Sequence, residues 1–286
     1  MALMYGTIVC LFLMLFLTSG CGEKTAGTEE NKYFSGPVVQ DKFVLAGSGS
    51  NLPVTGKLVE RYSAKTGMKI ELPSSIGSDG AINAVKSEKL ELGLISRHLT
   101  PAERELGLRE VPYARVAVVF GAHKNVLDTG VSTSDVIDIF KGSKMNWSDG
   151  SKIYVFVREK NDSSNLILYD QIPGFKDALF ESYQDRRWEI LYRDSDMAYA
   201  LNRTNSTFGV VNSTDIATND SIKALDFNGI SPTPHNVLNG EYKLVKDLSF
   251  VYENQINSRG MEFLNFVFSP EGQKIIMDCG AVPLAR

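Results

Sequence analysis

Three stretches combine glycine with small hydroxyl residues where an apolar run gives way to a helical pattern. They are Gly47-Ser48-Gly49-Ser50-Asn51, Ile76-Gly77-Ser78-Asp79-Gly80 and, behind Arg158, Asp162-Ser163-Ser164. Glycine lets a backbone approach a ligand closely, and serine adds a donor with little bulk. A helix start contributes unpaired N–H groups and the positive end of the helix dipole, both of which favour anions. Arg158 follows the apolar run Ile153 to Val157, and a guanidinium there can clasp a tetrahedral oxyanion with paired hydrogen bonds. The chemistry on offer is anion capture.

Other chemistries are poorly served. Gly47-x-Gly49 resembles the start of a dinucleotide loop, but Leu52 stands where the third glycine belongs. No Gly-x-Ser-x-Gly elbow occurs, and no carboxylate pair is spaced for acid–base work. The three histidines, His98, His123 and His235, lie far apart and none pairs with a cysteine. The sequence therefore predicts no catalysis, no metal and no cofactor.

The elements that must position the loops alternate between strand and helix. Phe43 to Ala46 is a short apolar run stopped by Gly47, and Pro53 falls in the first turn of a helix carrying Val54, Leu58 and Tyr62 up to Gly67. Ile70 to Leu72 predicts a strand, and a helix through Ala81, Ala84 and Val85 follows. Leu90 to Ile95 and Val116 to Phe120 predict buried strands. Ser134-Asp135 opens a helix through Val136, Ile139 and Phe140 that Gly142 ends. Phe208 to Val211 predicts another strand, and Met261, Leu264 and Phe268 share a helical stripe. Ser269-Pro270-Glu271 then restarts a helix that Gly280 closes. Such alternation predicts a parallel α/β sheet, with ligands held at the carboxyl ends of its strands.

The order of these segments resembles the phosphate-binding substrate proteins of bacterial ABC transporters, particularly their shorter subfamily, from Phe43 to the C-terminus. Further markers are Leu90 to Leu99 with its Ser96-Arg97 pair, Asp138 to Gly142 with Asn146-Trp147, Ser231 to Pro234 and Phe268 to Lys274. The resemblance implies a two-lobed periplasmic-binding-protein-like type 2 fold, each lobe a mixed sheet flanked by helices. One lobe would take 42–120 plus about 226–286 and the other about 121–225, hinged near 118–124 and 215–250. It implies anion contacts at Asn51 and Leu52 (largely backbone), Ser78, Ser96, Arg158, Asp162, Ser163 and Ser164. Arg97 fits the subfamily's Ser-Arg pair, and His98 falls on the rim. The implied partners are inorganic phosphate or a similar oxyanion and an ABC-transporter permease, the protein acting as a monomer.

One loop departs from that family. Where Gly-Ser-Gly-Thr-Arg is expected, this chain has Asn161-Asp162-Ser163-Ser164-Asn165. At about 4 Å, a carboxylate facing an anion costs roughly 4 kcal/mol at an effective dielectric of 20, about three decades of affinity. Either Asp162 caps its helix and pairs with Arg158, or it accepts the proton of a protonated oxyanion. A third outcome is a relative that has lost phosphate and serves as a sensory or interaction domain, or takes another small ligand.

The N-terminus predicts an address. Ile8 to Leu17 is an unbroken apolar run too short to span a bilayer but suited to a signal peptide over 1–20. Thr18-Ser19-Gly20-Cys21 resembles a bacterial lipobox, which would make Cys21 a lipidated residue. The other readings are a plain secretory signal or a short anchor. Residues 21–41 lack periodicity and predict a flexible tether from a membrane surface to an exported, periplasmic or cell-surface body. Of the three cysteines, Cys10 would leave with the signal and Cys21 would carry lipid, so Cys279 has no disulfide partner. A net charge of -4 over 286 residues argues against a nucleic-acid partner. With 43 % hydrophobic and 22 % charged residues, the chain can build a sizeable core.

Overall fold

The computed structural model describes residues 43–286. The signal segment, Cys10, Cys21 and the tether lie outside the described residues. From the N-terminal side the elements are β1 (Phe43–Gly47), a 3-10 turn (Gly49–Asn51), α1 (Leu52–Thr66), β2 (Ile70–Glu71), α2 (Gly77–Lys86), β3 (Leu92–Ile95) and α3 (Pro101–Glu105). The long β4 (Leu108–His123) leads to β5 (Gly130–Val131), α4 (Thr133–Lys141), β6 (Tyr154–Arg158), α5 (Ser163–Gln171), α6 (Phe175–Gln184) and β7 (Glu189–Leu191). Then come α7 (Asp194–Arg203), β8 (Thr207–Asn212), α8 (Ser213–Ala217), β9 (Ile222–Ala224), β10 (Asp226–Phe227) and α9 (Pro234–Leu238). The chain finishes with β11 (Val245–Glu253), α10 (Ser258–Val267), α11 (Pro270–Asp278) and β12 (Val282–Pro283).

The main sheet runs β2-β1-β3-β11-β4-β8-β6-β7, with β9 and β12 also paired to β4, while β5 and β10 form a separate pair. It is mixed, not the wholly parallel sheet that alternation alone predicts. β1 is parallel to β2 and β3, and β6 is parallel to β7 and β8. β11 is antiparallel to both β3 and β4, and β4 is antiparallel to β8. The mixture arises at the centre, where β11 inserts between β3 and β4 and runs against both, and where β4 meets β8 in the opposite sense.

Strand parity explains the layers. Along β1, Phe43 and Leu45 enter the core formed with α1 and α10, whereas Val44 and Ala46 face the one formed with α2. Both faces are covered, so the run reads as continuous apolar sequence. On β3, Gly93 has no room for a side chain: a Cβ there would stand 2.9 Å from Val251 and 3.1 Å from Val85. A different core gathers around Phe120, Phe140, Phe175 and Phe208 under α4 to α7. β4 joins the two, because Tyr113, Ala114 and Val116 belong to the first core and Ala117 to Phe120 to the second.

Several helix boundaries follow the expected chemistry. Ser269 accepts a hydrogen bond from the Gly272 N–H with Pro270 behind it, and Gly142 ends α4 with φ 77°. The start of α4 lies two residues earlier than Ser134-Asp135 suggested, because Ser132 and Asp135 form a reciprocal capping box. Cys279 is buried against the first core. Among the described residues no helix is long and apolar enough to cross a membrane, and no group of side chains could hold a metal ion.

Candidate functional site

β1 and β3 run opposite to β6 and β7, and the carboxyl ends of all four meet at one cleft, the place where α/β sheets hold ligands. β1 supplies Ser48, β3 supplies Ser96, β6 ends in Arg158 itself, and the segment after β7 brings Asp194 to the first turn of α7. The Ser48 N–H donates to the Leu94 carbonyl at 2.8 Å, fixing the first loop beside the third strand. The Ser96 N–H donates to Ser78 Oγ at 3.1 Å, which ties in the start of α2.

The hydroxyls form a line. Ser48 Oγ lies 2.6 Å from Ser96 Oγ, and Ser96 Oγ lies 2.8 Å from Ser163 Oγ at the start of α5. Ser50 Oγ donates to Asp194 Oδ1 at 3.0 Å. Gly49 makes that approach possible, since a Cβ there would sit 2.4 Å from Asp194 Oδ2.

Arg158 is 6 % exposed, yet it lines the cleft. Its Nε and Nη2 donate to Asp162 Oδ2 at 3.1 and 2.9 Å, Nη2 reaches Asp194 Oδ2 at 3.3 Å, and Nη1 donates to the Leu191 carbonyl at 3.1 Å. Its own carbonyl accepts from the Tyr183 hydroxyl, so the strand end is pinned from behind. Asp162 Oδ1 accepts the Ser164 N–H at 2.9 Å and caps α5. Burial alone would raise the Asp162 pKa, but Arg158 and then Lys246 outweigh it and hold the carboxyl below its usual range. Burial depresses the Arg158 pKa, and Asp162 and Asp194 more than restore it. Asp162 thus caps α5 and pairs with Arg158 at once.

Lys246, on β11, places its buried ammonium beneath this line. It donates to Ser50 Oγ at 2.8 Å, Ser163 Oγ at 3.0 Å and Ser164 Oγ at 2.8 Å. Burial lowers its pKa against the opposing pull of Asp162 and Asp194. Neither Lys246 nor Asp194 stands out in the three loops that sequence reasoning singles out. A signal for Lys246 exists, however: it shares strand parity with Leu248 and Phe250, both buried. Charged residues rarely point inward without a partner.

The other expected contacts are placed as follows. Asn51 is fully buried and turns its side chain into the body, where Nδ2 donates to the Ile95 carbonyl at 3.1 Å and Oδ1 accepts from the Tyr113 hydroxyl at 3.0 Å. Leu52 begins α1 and packs on the first core. Arg97 lines the cleft but is clasped by Asp79 at 2.7 Å and Glu103 at 2.8 Å. The hydrogen bond to Glu103 is the main reason its pKa is raised. His98 is exposed, 3.5 Å from Glu110.

Two connected spaces result. One of about 420 Å³ is lined by Ser48, Gly49, Ser78, Arg158, Asp162 and Asp194, with Tyr192 at its rim. The other, about 660 Å³, is lined by Ser96, Leu166, Val245 and Lys246. Ser163 and Arg97 line both.

Behind Asp194, Asn212 donates to it at 3.3 Å and to Asp215 at 3.2 Å. Burial, then the Asp194 charge, pushes the Asp215 carboxyl up from 3.8 to about 6. The folded state therefore binds this proton more tightly than the unfolded chain does. Its ionised form costs stability above pH 6, and the cost fades as pH falls from 6 to 4. At about 1.36 kcal/mol per unit the penalty at pH 7 is about 3 kcal/mol. Asp215→Asn should accordingly raise stability at pH 7 by up to that amount and flatten the pH dependence between 4 and 6. Urea denaturation at stepped pH reads both effects; an unchanged slope would dismiss the assignment.

Comparison with known proteins places these features in company. The profile of the PBP superfamily domain matches residues 28–271. The chain is similar to the phosphate-binding protein PstS of Borreliella burgdorferi, 21 % identical over 248 residues that cover 82 % of this chain and 88 % of that protein. Among solved structures it is similar to one from Clostridium perfringens, described as a phosphate ABC transporter substrate-binding protein with bound phosphate. That likeness has a TM-score of 0.75 at 25 % identity, covering 85 % of this chain and all of the other. It also resembles an ABC-type phosphate transport receptor from Vibrio cholerae, with a TM-score of 0.61 at 20 % identity over 84 % of this chain and 99 % of that one.

Proposed function

The chain belongs to the PBP superfamily, and from that membership we propose that it captures phosphate or a related oxyanion for an ABC transporter, binding its ligand without chemistry. The observation that carries this reading is the convergence of Arg158 with the hydroxyls of Ser48, Ser96 and Ser163 on one cleft at strand ends. Donors from separate segments surround a small anion better than any single loop can, and a partly dry cleft strengthens each bond. The relatives named for phosphate support the choice of ligand.

In this reading the lobes of 42–120 with about 226–286 and of about 121–225 close on the anion, bending along β4 and β11. Cys21 would anchor the exported protein, as a monomer, beside its permease. A second reading has support of its own: Asp162 and Asp194 already occupy most of the Arg158 donors. That arrangement suits a relative turned to sensing, to a protein partner or to another small ligand. Isothermal titration with phosphate, sulfate and molybdate at neutral pH separates the two. Heat from phosphate at micromolar concentration supports the transport receptor, and no heat at millimolar concentration favours the alternative.

Arg97 provides an internal control. Its guanidinium is already saturated by Asp79, Glu103 and the His98 carbonyl, so Arg97→Ala should change phosphate affinity by less than about threefold, or ~0.7 kcal/mol. A loss of a hundredfold would return Arg97 to the direct contacts.

A further inference from the structure

We propose that Lys246 is a positioning cation of the cleft: its ammonium, seated among Ser50, Ser163 and Ser164, offsets the carboxylates of Asp162 and Asp194 and turns the serine hydroxyls toward a bound oxyanion. The inference rests on the oxyanion reading and adds a residue to it.

The geometry supplies the argument. An ammonium has three N–H donors and no acceptor, and all three are directed at serine oxygens at 2.8 to 3.0 Å. Each of those oxygens therefore accepts from below, leaving its own proton to point elsewhere. Ser50 gives its proton to Asp194. Ser163 touches Ser96, which touches Ser48, and Ser48 lines the space beside Arg158. Lys246 thus sits at the base of a hydroxyl chain that ends in the cleft, polarising it in the sense an anion requires.

Charge gives the second strand of the argument. Arg158 and Lys246 face Asp162 and Asp194, two cations against two carboxylates, with Asp215 adding a further carboxyl behind Asn212. Without Lys246, one guanidinium confronts two carboxylates, and an incoming anion meets a net negative wall. β11 is also paired to both β3 and β4. That central position lets one side chain reach Ser50 before α1 and Ser163 and Ser164 on α5 together.

Titration of wild-type protein with inorganic phosphate, beside Lys246→Met, Lys246→Gln and Lys246→Met/Asp194→Asn, tests the role. An opposite charge within about 4–6 Å shifts an ionic equilibrium by one to three decades, so Lys246→Met should weaken phosphate binding about a hundredfold. Lys246→Gln, which can still donate to serine, should lose nearly as much, because charge is what it lacks. The double variant should recover at least tenfold over Lys246→Met, since it removes one of the carboxylates that Lys246 offsets. Lys274→Met, at an exposed lysine paired to Asp278, should bind as wild type does.

Circular dichroism identifies a variant that fails to fold, and Lys246→Gln carries the test if Lys246→Met does. Wild-type affinity in Lys246→Met or Lys246→Gln would overturn the role alone. So would a double variant as weak as the single one, which would mean packing rather than charge. Wild-type protein silent to phosphate, sulfate and molybdate would overturn the oxyanion reading, and this role with it.

Discussion

Arg158→Ala is expected to abolish measurable phosphate binding, with a loss of at least a thousandfold. Two effects add. The anion loses a charge-assisted donor in a nearly dry setting, and such bonds are roughly twice as strong as neutral ones. The variant also leaves Asp162 and Asp194 facing the ligand with only Lys246 against them. A like charge at about 4 Å costs roughly 4 kcal/mol at an effective dielectric of 20, which is about three decades. Arg158→Lys separates charge from shape. A lysine keeps the positive charge but cannot fork across Asp162 while reaching Asp194, so it should retain binding weakened by about ten- to a hundredfold. Titration calorimetry of both variants, with folding checked by circular dichroism, gives the result. An Arg158→Ala variant within tenfold of wild type would remove Arg158 from the site.

The contrast with Arg97 shows what the sequence could and could not convey. Both arginines follow an apolar strand, and both precede a loop and a helix. One is held by carboxylates at the mouth of the cleft and the other by carboxylates inside it. Nothing in their local sequence separates these cases, because Glu103 reaches Arg97 from α3 and Asp194 reaches Arg158 from α7. The strand ends were legible, since Gly47, Ile95 and Arg158 each close an apolar run. The three serine-bearing loops do converge, the second through the bond from the Ser96 N–H to Ser78. Sheet direction was harder. Val116 to Phe120 marked only the middle of β4, because its first half mixes Glu110, Pro112 and Arg115 with apolar residues. Its pairing with β11 joins segments more than a hundred residues apart, which no local pattern reports.

Asn51 and Lys246 make complementary cases. Asn51 lies in the expected loop, yet the turn before α1 rotates its amide onto Tyr113 and Ile95. Lys246 is the second residue of β11 and lies outside the three serine-bearing loops. Only its inward parity with Leu248 and Phe250 hinted that a charge was being placed deliberately, and its serine partners sit 82 to 196 residues away.

Asp162→Asn should tighten phosphate binding by about tenfold or more while lowering the stability of the free protein by about 3 kcal/mol. The opposite signs follow from the two jobs of one carboxylate. Asp162 Oδ2 takes two N–H donors of Arg158, so removing its charge releases the guanidinium toward the ligand and removes a repulsion. Without phosphate, however, the buried guanidinium keeps the Asp194 carboxylate and the Leu191 carbonyl, and breaking a buried ion pair leaves charge poorly compensated. Asparagine is a good N-cap and can still accept the Ser164 N–H through Oδ1, so the start of α5 should survive. The pH dependence carries the same signature. Because the Asp162 carboxyl is held below its usual 3.8, its contribution to stability is present above pH 4 and fades as pH falls through its lower folded value. That loss should be absent from the asparagine variant. Saturating phosphate should then restore most of the stability lost at pH 7, since a ligand that binds only the folded state stabilises it by mass action. Weaker binding in Asp162→Asn would assign the carboxylate to a proton on the ligand instead, making it an acceptor rather than a competitor for Arg158.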